Sequence, residues 1–157
     1  GKMDATVAYT EKYILTDRGI YNYDLEQIED LSAKDYEYVT TVGNALIFKE
    51  EVTKAETATT PETTETTYYL YNGSFKKIAD DKTWAGNMSD TYYVLRNQPD
   101  ATLENPFPET TYSYYDASGN LLFTSKDSTA YTVAYGNDWC IVRTNTAVGY
   151  AFYRVQR

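Results

Sequence analysis

The 157-residue chain contains no histidine, and Cys140 is its single cysteine. It therefore cannot build a Ser-His-Asp or Cys-His nucleophile, a His-ligated zinc site or an intrachain disulfide. We predict no catalytic residue, no metal site and no cofactor. Cys140 lies between Trp139 and Ile141, and these apolar neighbours indicate an unreactive thiol in the core.

Long apolar runs and an excess of positive charge are also missing. Apolar stretches such as residues 45–48 and 139–142 have four residues, far fewer than the roughly 20 needed to cross a bilayer. Fourteen Lys and Arg against twenty-three Asp and Glu leave a net charge of −9, which repels nucleic-acid phosphates. We therefore expect no membrane span and no nucleic-acid partner.

The abundant residues are Tyr, with 18 copies, and Thr, with 23 copies. Aromatic and β-branched residues suit a pleated, half-buried surface, so the composition predicts an all-β protein. The length fits a single domain over residues 1–157. A Tyr- and Thr-rich, acidic composition is typical of exported bacterial proteins, so we expect an extracellular or cell-surface location.

One short phrase recurs four times along the chain, and its fourth residue is always Tyr. A second, apolar phrase follows each of the first three copies, and such fixed spacing indicates tandem repeats. The first phrase occupies residues 20–24 (IYNYD), 68–72 (YYLYN), 112–116 (YSYYD) and 150–154 (YAFYR), and the second occupies 44–49 (NALIFK), 90–96 (DTYYVLR) and 137–143 (NDWCIVR).

Turn residues divide each repeat into four strands, which we call A to D. The first phrase is strand A, and Asn72-Gly73 or residues 116–120 (DASGN) turn it into strand B. The second phrase is strand D, and its unbroken apolar run predicts cover on both faces. The repeat boundaries are a partial unit at 1–19, full repeats at 20–67, 68–111 and 112–149, and a closing strand at 150–157.

Four strands in about 46 residues resemble a blade of the β-propeller-type tandem repeats. The sequence YSYYDASGNLLF (112–123) is similar to WG-type repeats, although the Trp-Gly pair is absent. The resemblance implies a small four-bladed ring in which the N-terminal C and D strands, at 6–9 and 13–16, join the closing A strand in one composite sheet. The alternatives are a fragment of a larger propeller and an up-and-down barrel or meander of the same hairpins.

The connections from strand D to strand A vary most in length. Residues 52–67 contain eight Thr and three Glu, and residues 97–109 contain three Pro. If every connection is an antiparallel hairpin, these loops emerge at one end and form an acidic rim. A Thr/Glu-rich tract buries too little apolar surface to order itself, so we expect 52–67 to be mobile. We expect Leu103 and Phe107 to fold back on the scaffold.

Some recurring side chains have two interpretations each. Four tyrosines could form aromatic faces for sugars, but sheet packing explains them more simply. Three cations at the ends of D strands could bind a carboxylate ligand, but surface ion pairing is the simpler role. The tyrosines are Tyr23, Tyr71, Tyr115 and Tyr153, and the cations are Lys49, Arg96 and Arg143.

These features favour a non-catalytic, exported binding or scaffold module whose acidic loops meet a protein or a glycan. Trp84, in a B-to-C connection, would be either a core plug or an exposed platform. The alternative function is a glycan-active enzyme with paired carboxylates, although the sequence singles out no pair. The ligand, the oligomeric state and the number of blades stay open. The candidate binding residues are Glu56, Glu62, Glu65, Trp84, Asp100, Glu104, Phe107 and Glu109.

Overall fold

The computed structural model describes residues 6–126 and 130–156, and these residues form fifteen β-strands. All the sheets are antiparallel, which confirms the all-β prediction. Sheet 1 contains β1 (Thr6–Tyr9), β2 (Ile14–Thr16), β3 (Gly19–Tyr21) and β4 (Gln27–Asp30), and sheet 2 contains β5 (Tyr36–Val42), β6 (Ala45–Lys54), β7 (Thr63–Tyr71) and β8 (Phe75–Asp80). Sheet 3 contains β9 (Trp84–Met88), β10 (Tyr93–Asn97), β11 (Thr111–Tyr115) and β12 (Leu121–Ser125), and sheet 4 contains β13 (Tyr131–Tyr135), β14 (Trp139–Thr146) and β15 (Gly149–Gln156).

The sheets are out of phase with the sequence repeat. Each one joins strands C and D of one copy to strand A of the next, and sheets 1 to 3 add strand B. The chain changes sheet in the B-to-C connections, so the premise that every connection is a hairpin fails there. The predicted composite sheet is also wrong, because β2 pairs with β3 and the closing strand β15 pairs with β14. Hairpins between sequence neighbours complete the N-terminal pair locally, without a distant strand.

The turns between strands A and B share one geometry in sheets 1 and 3. The Oδ1 atom of Asp116 accepts hydrogen bonds from the backbone N–H groups of Ser118 and Asn120, both at 2.9 Å, and Gly119 has a φ of 82°. In sheet 1 the Oδ1 atom of Asn22 accepts the corresponding bonds, from Asp24 and Glu26. Leu25 then takes the left-handed conformation, with a φ of 62°, at the place of glycine.

The chain divides into two compact units, residues 1–81 and 82–157. In each unit, buried side chains from two sheets pack into one core. The core of unit 1 contains Leu15, Ile20, Leu31, Leu46, Phe48 and Tyr71. The core of unit 2 contains Tyr92, Val94, Tyr114, Leu122, Phe123, Ala130, Cys140 and Val142.

Strand D supplies much of this buried surface. All four residues of Ala45 to Phe48 are buried, as the unbroken apolar run predicts. Cys140 is fully buried in the core of unit 2, which confirms its predicted environment. Within residues 6–126 and 130–156, the structure contains no helix with the length and hydrophobicity of a membrane span.

The Thr/Glu-rich tract differs from its expected form, because half of it, residues 52–54 and 63–67, belongs to a long two-stranded ribbon. Strands β6 and β7 pair residue by residue from Leu46 opposite Tyr71 to Lys54 opposite Thr63, leaving residues 55–62 as the loop. The hydroxyl groups of Thr53 and Thr64 lie 3.1 Å apart across the ribbon. Facing β-branched residues stabilise paired strands, and the expectation of a wholly mobile tract overlooked this contribution.

Candidate functional site

The predicted acidic residues of unit 1 lie on and beside the β6–β7 loop. Glu56 and Glu62 are exposed on residues 55–62, and Glu65 lies on β7. The Glu65 carboxylate contacts the Lys54 ammonium at 2.9 Å, so an ion pair across the ribbon partly neutralises this end of the tract.

The other predicted residues belong to unit 2. Asp100 and Glu104 are exposed on the loop that follows β10, and Glu109 pairs with the Lys126 ammonium at 2.9 Å. Because the two acidic loops belong to different units, a single acidic rim stays a prediction.

The loop between β10 and β11, residues 98–110, holds its apolar side chains outward. A local turn closes its tip, where the backbone N–H of Thr102 donates to the carbonyl of Asn105 at 3.0 Å. Leu103, in that turn, is fully exposed, and Phe107 exposes 89% of its surface. The expectation that both residues fold back on the scaffold is therefore wrong. The turn is closed by the loop's own backbone, so it forms without burying them.

Phe107 lines a groove of about 580 Å³ on unit 2. One kind of lining is apolar and rigid, because proline rings with fixed φ angles flank the phenyl ring. The other kind is polar and mostly charged. The apolar lining comes from Pro99, Ala101, Pro106, Phe107 and Pro108, and the polar lining from Lys82, Arg96, Gln98 and Asp100.

Arg96 is held at this groove by the backbone of the preceding connection. Its Nε and Nη2 atoms donate to the carbonyl of Lys82 at 3.2 and 3.1 Å, and its own backbone N–H donates to the carbonyl of Thr83. The groove therefore combines an apolar lining with a guanidinium held by hydrogen bonds. This combination suits a ligand with an apolar or ring-shaped body and an anionic group.

Two of the predicted binding residues, Asp100 and Phe107, line this groove, whereas Lys82 and Arg96 are not among the predicted binding residues. The sequence allows Arg96 to bind a carboxylate ligand but favours surface ion pairing for it, and no pattern in the sequence indicates a role for Lys82. The available signal was position, since Arg96 ends strand D immediately before the proline-rich loop. The corresponding Lys49 does make ion pairs, with Glu37 at 3.4 Å and Glu51 at 3.2 Å. The hydrogen bonds to these two carboxylates raise the pKa of the Lys49 ammonium.

Trp84 is neither a buried plug nor an exposed platform. It begins β9, is half-buried, and its ring stacks on Tyr93 with centroids 6.5 Å apart. Tyr93 stacks in turn on Tyr115 at 5.5 Å. Burial, with smaller contributions from Tyr115 and Asp116, raises the pKa of Tyr93 to about 12. Trp84 thus belongs to an aromatic row across sheet 3 rather than to the Phe107 groove.

The recurring tyrosines divide into two groups. Tyr71 is buried and Tyr115 is half-buried, as sheet packing predicts, whereas Tyr23 and Tyr153 are exposed. Tyr23 lines a second groove of about 500 Å³ on unit 1, together with Tyr9, Thr10, Glu11, Gly43 and Asn44. Its hydroxyl donates to the carbonyl of Thr10, which fixes the ring at the edge of that groove.

Asp30 is a carboxylate with a displaced pKa, and the shift is downward. Hydrogen bonds from the side chain and backbone of Ser32 lower it, with Oγ to Oδ1 at 2.6 Å. A glycosidase general acid needs the opposite shift. In the described ranges, no group of three or more His, Cys, Asp or Glu side chains is arranged to hold a metal ion.

Comparisons with known proteins identify no relative. No family model matches the sequence, no curated protein is significantly similar to it, and no solved structure matches it at a significant level.

Proposed function

We propose that the protein is a non-catalytic binding module that holds its ligand at the hairpin loops between strands D and A. The Phe107 groove is the contact surface that we assign to it. The ligand is a protein segment or a glycan with an apolar or ring-shaped part and an anionic group. An exported location accords with this role and stays part of the proposal.

The exposure of Phe107 is the observation that carries the proposal. A solvent-exposed phenyl ring beside three prolines costs hydration free energy in the unbound protein, and binding recovers it. The fixed Arg96 guanidinium supplies the polar contact that orients a ligand. Functional loops carried on a rigid β scaffold are a common arrangement.

We also propose that the four sheets are blades of a β-propeller-type array. Four antiparallel meanders that reuse the same two phrases support this proposal. Small-angle scattering tests it. A closed ring of this length has a radius of gyration of about 15 Å, and a clearly larger value would mean that the two units are separated.

The binding proposal is tested with a printed glycan array and a phage-displayed random-peptide library. Ligands selected on the wild type are measured again on Phe107→Ser and on Arg96→Gln. We expect each substitution to weaken binding at least tenfold. Leu103→Ser is the matched control, because Leu103 is exposed on the same loop but does not line the groove.

Equal binding by the wild type and both groove variants would contradict the proposed site. Hydrolysis of a chromogenic glycoside by the purified protein would contradict the non-catalytic function and favour the carboxylate-based alternative.

A further inference from the structure

The second groove, of about 500 Å³ on unit 1, is lined by residues from three hairpin turns. Tyr9 ends β1 and Thr10 begins the turn to β2, whereas Tyr23 lies in the turn between β3 and β4. Gly43 and Asn44 form the turn between β5 and β6. The groove therefore lies between sheets 1 and 2 of one compact unit.

Hydrogen bonds join these turns to one another. The Tyr23 hydroxyl donates to the carbonyl of Thr10, and the backbone N–H of Glu11 donates to the Oδ1 atom of Asn44 at 3.2 Å. Within the first turn, the Oγ1 atom of Thr10 accepts the backbone N–H of Tyr13 at 2.9 Å. The groove is thus preorganised, which lowers the entropic cost of binding a ligand there.

Two exposed aromatic rings line the groove. Tyr9 exposes 74% and Tyr23 exposes 54% of its surface. The turn that carries Tyr23 does not need an aromatic residue. Its hydrogen bonds match those of the turn at residues 116–120 in sheet 3, where Ala117 stands at the place of Tyr23. The Tyr23 ring is therefore a surface feature of this groove and not a requirement of the fold.

The charge around the groove is negative. Of the six lining residues in the described part of the chain, Glu11 alone is charged, and Lys12 beside it does not line the groove. The Tyr23 turn also contains Asp24 and Glu26, and residues 1–81 have eight Lys and Arg against sixteen Asp and Glu. Aromatic faces beside a carboxylate attract a cation, and a cation covered by methyl groups loses little hydration when it contacts them.

We propose that this groove binds a quaternary ammonium group. The Tyr9 and Tyr23 rings supply cation–π contacts, and the Glu11 carboxylate supplies the opposite charge. The hydrogen bond from Tyr23 to Thr10 holds one of the two rings in place. None of these residues lines the Phe107 groove, and the ligand has the opposite charge from the one proposed there.

The probe is choline, titrated into the ¹⁵N-labelled full chain. Its control is 3,3-dimethylbutan-1-ol, in which a neutral carbon replaces the charged nitrogen and the shape is kept. We expect saturable shifts of the amides of residues 9–11, 23 and 43–44 at millimolar choline. The neutral alcohol should bind at least about fivefold more weakly, because it has no charge to interact with the rings and the carboxylate.

Three variants test the named contacts. Tyr9→Ala, Tyr23→Ala and Glu11→Gln should each weaken choline binding at least about fivefold. Glu11→Gln should leave binding of the neutral alcohol unchanged, and because it keeps the size of the side chain it serves if a tyrosine variant loses the wild-type circular dichroism spectrum. Tyr153→Ala and Glu56→Gln are the matched controls, since both residues are exposed and neither lines the groove. Both controls should bind choline as the wild type does.

Four results would overturn the proposal. The first is the absence of saturable shifts, or shifts confined to residues outside the groove. The second is equal binding of choline and the neutral alcohol. The third is an equal loss in the control variants, because it would indicate a general effect of charge or of exposed tyrosines. The fourth is tighter binding of methyl β-glucoside than of choline at the same amides, because it would assign the two rings to a sugar.

Discussion

The two units contain copies of the same strand phrases but present different surfaces. Unit 1 has two four-stranded sheets and eight Lys and Arg against sixteen Asp and Glu, a net charge of −8. Unit 2 has one four-stranded and one three-stranded sheet, with six cations against seven acids. Unit 2 also carries the exposed aromatic rings of Phe107 and Phe152. A repeated phrase therefore specifies the strand, whereas its neighbours decide whether that strand becomes core or surface.

The sharpest contrast is between two phenylalanines of unit 2. Phe123 is buried against Tyr114, so Phe123→Ala should lower the free energy of unfolding by about 3 to 5 kcal/mol. Phe152 is mostly exposed, so Phe152→Ala should change it by less than about 0.5 kcal/mol. Urea unfolding monitored by circular dichroism measures both values. A large loss for Phe152→Ala would mean that β15 is covered and that the contrast is false.

Alkaline unfolding compares one buried tyrosine of each unit. Burial is the main cause that raises the pKa of Tyr71, in unit 1, and of Tyr93, in unit 2, to about 12. The folded state favours the neutral form of each phenol. The stabilisation of the folded state by these two neutral phenols is complete below pH 10 and is lost as the pH rises towards 12. Each tyrosine should contribute a fall of roughly 2 to 3 kcal/mol at most.

Tyr71→Phe and Tyr93→Phe test this prediction by urea unfolding between pH 8 and 12. Each variant should lose less stability across that interval than the wild type does. An unchanged fall in both variants would contradict the assignment of the alkaline loss to these two phenols.

The A-to-B turns give a smaller, reciprocal comparison. Leu25 and Gly119 occupy the same left-handed place in matching turns, but only glycine adopts it without a steric cost. Gly119→Leu should therefore destabilise the protein by about 1 to 2 kcal/mol, and Leu25→Gly should stabilise it by up to about 1 kcal/mol. Thermal unfolding of the two variants provides the measurement, and changes of equal sign would contradict the shared geometry.

The smallest expected effect is at the acidic ribbon of unit 1. The Lys54–Glu65 pair is solvent-exposed on both sides. Glu65→Gln should change the free energy of unfolding by less than about 0.5 kcal/mol, and 0.5 M salt should remove the difference. A larger, salt-insensitive loss would mean that this ion pair holds the ribbon together.

The sequence predicted the strands well, because their phrases and turn residues are local. The two recurring phrases and the unbroken apolar runs, with Asn72-Gly73 and Gly119 in the turns, located the strands and the buried D strands. The phase of the sheets was mispredicted, since strand spacing is the same wherever a sheet begins. The A-to-B turn of sheet 1 has Leu25 where the turn of sheet 3 has a glycine. The residue that indicates this turn is Asn22, whose Oδ1 atom accepts two backbone hydrogen bonds.

The candidate site was predicted only in part. The exposure of Phe107 depends on a turn that closes at Thr102 and Asn105, and composition alone favoured folding back. The sequence repeat also failed to predict the register of β15 against β14. Tyr68 and Tyr112 stand opposite Lys49 and Arg96, but Phe152, rather than Tyr150, stands opposite Arg143. The two-residue turn after Thr146 moves the phrase by two positions, which preserves the faces of the strand.

Residue-resolved amide hydrogen exchange most directly tests the contrast between β11, which pairs on both edges, and β15, which pairs on one edge with β14 among the described strands. The account predicts slow exchange along the whole of β11, which has partners on both edges. In β15 it predicts alternation with a period of two residues, because every second amide points to the open edge. Uniformly slow exchange along β15 in a monomeric sample would contradict the account, since it would require a partner on the edge described as open.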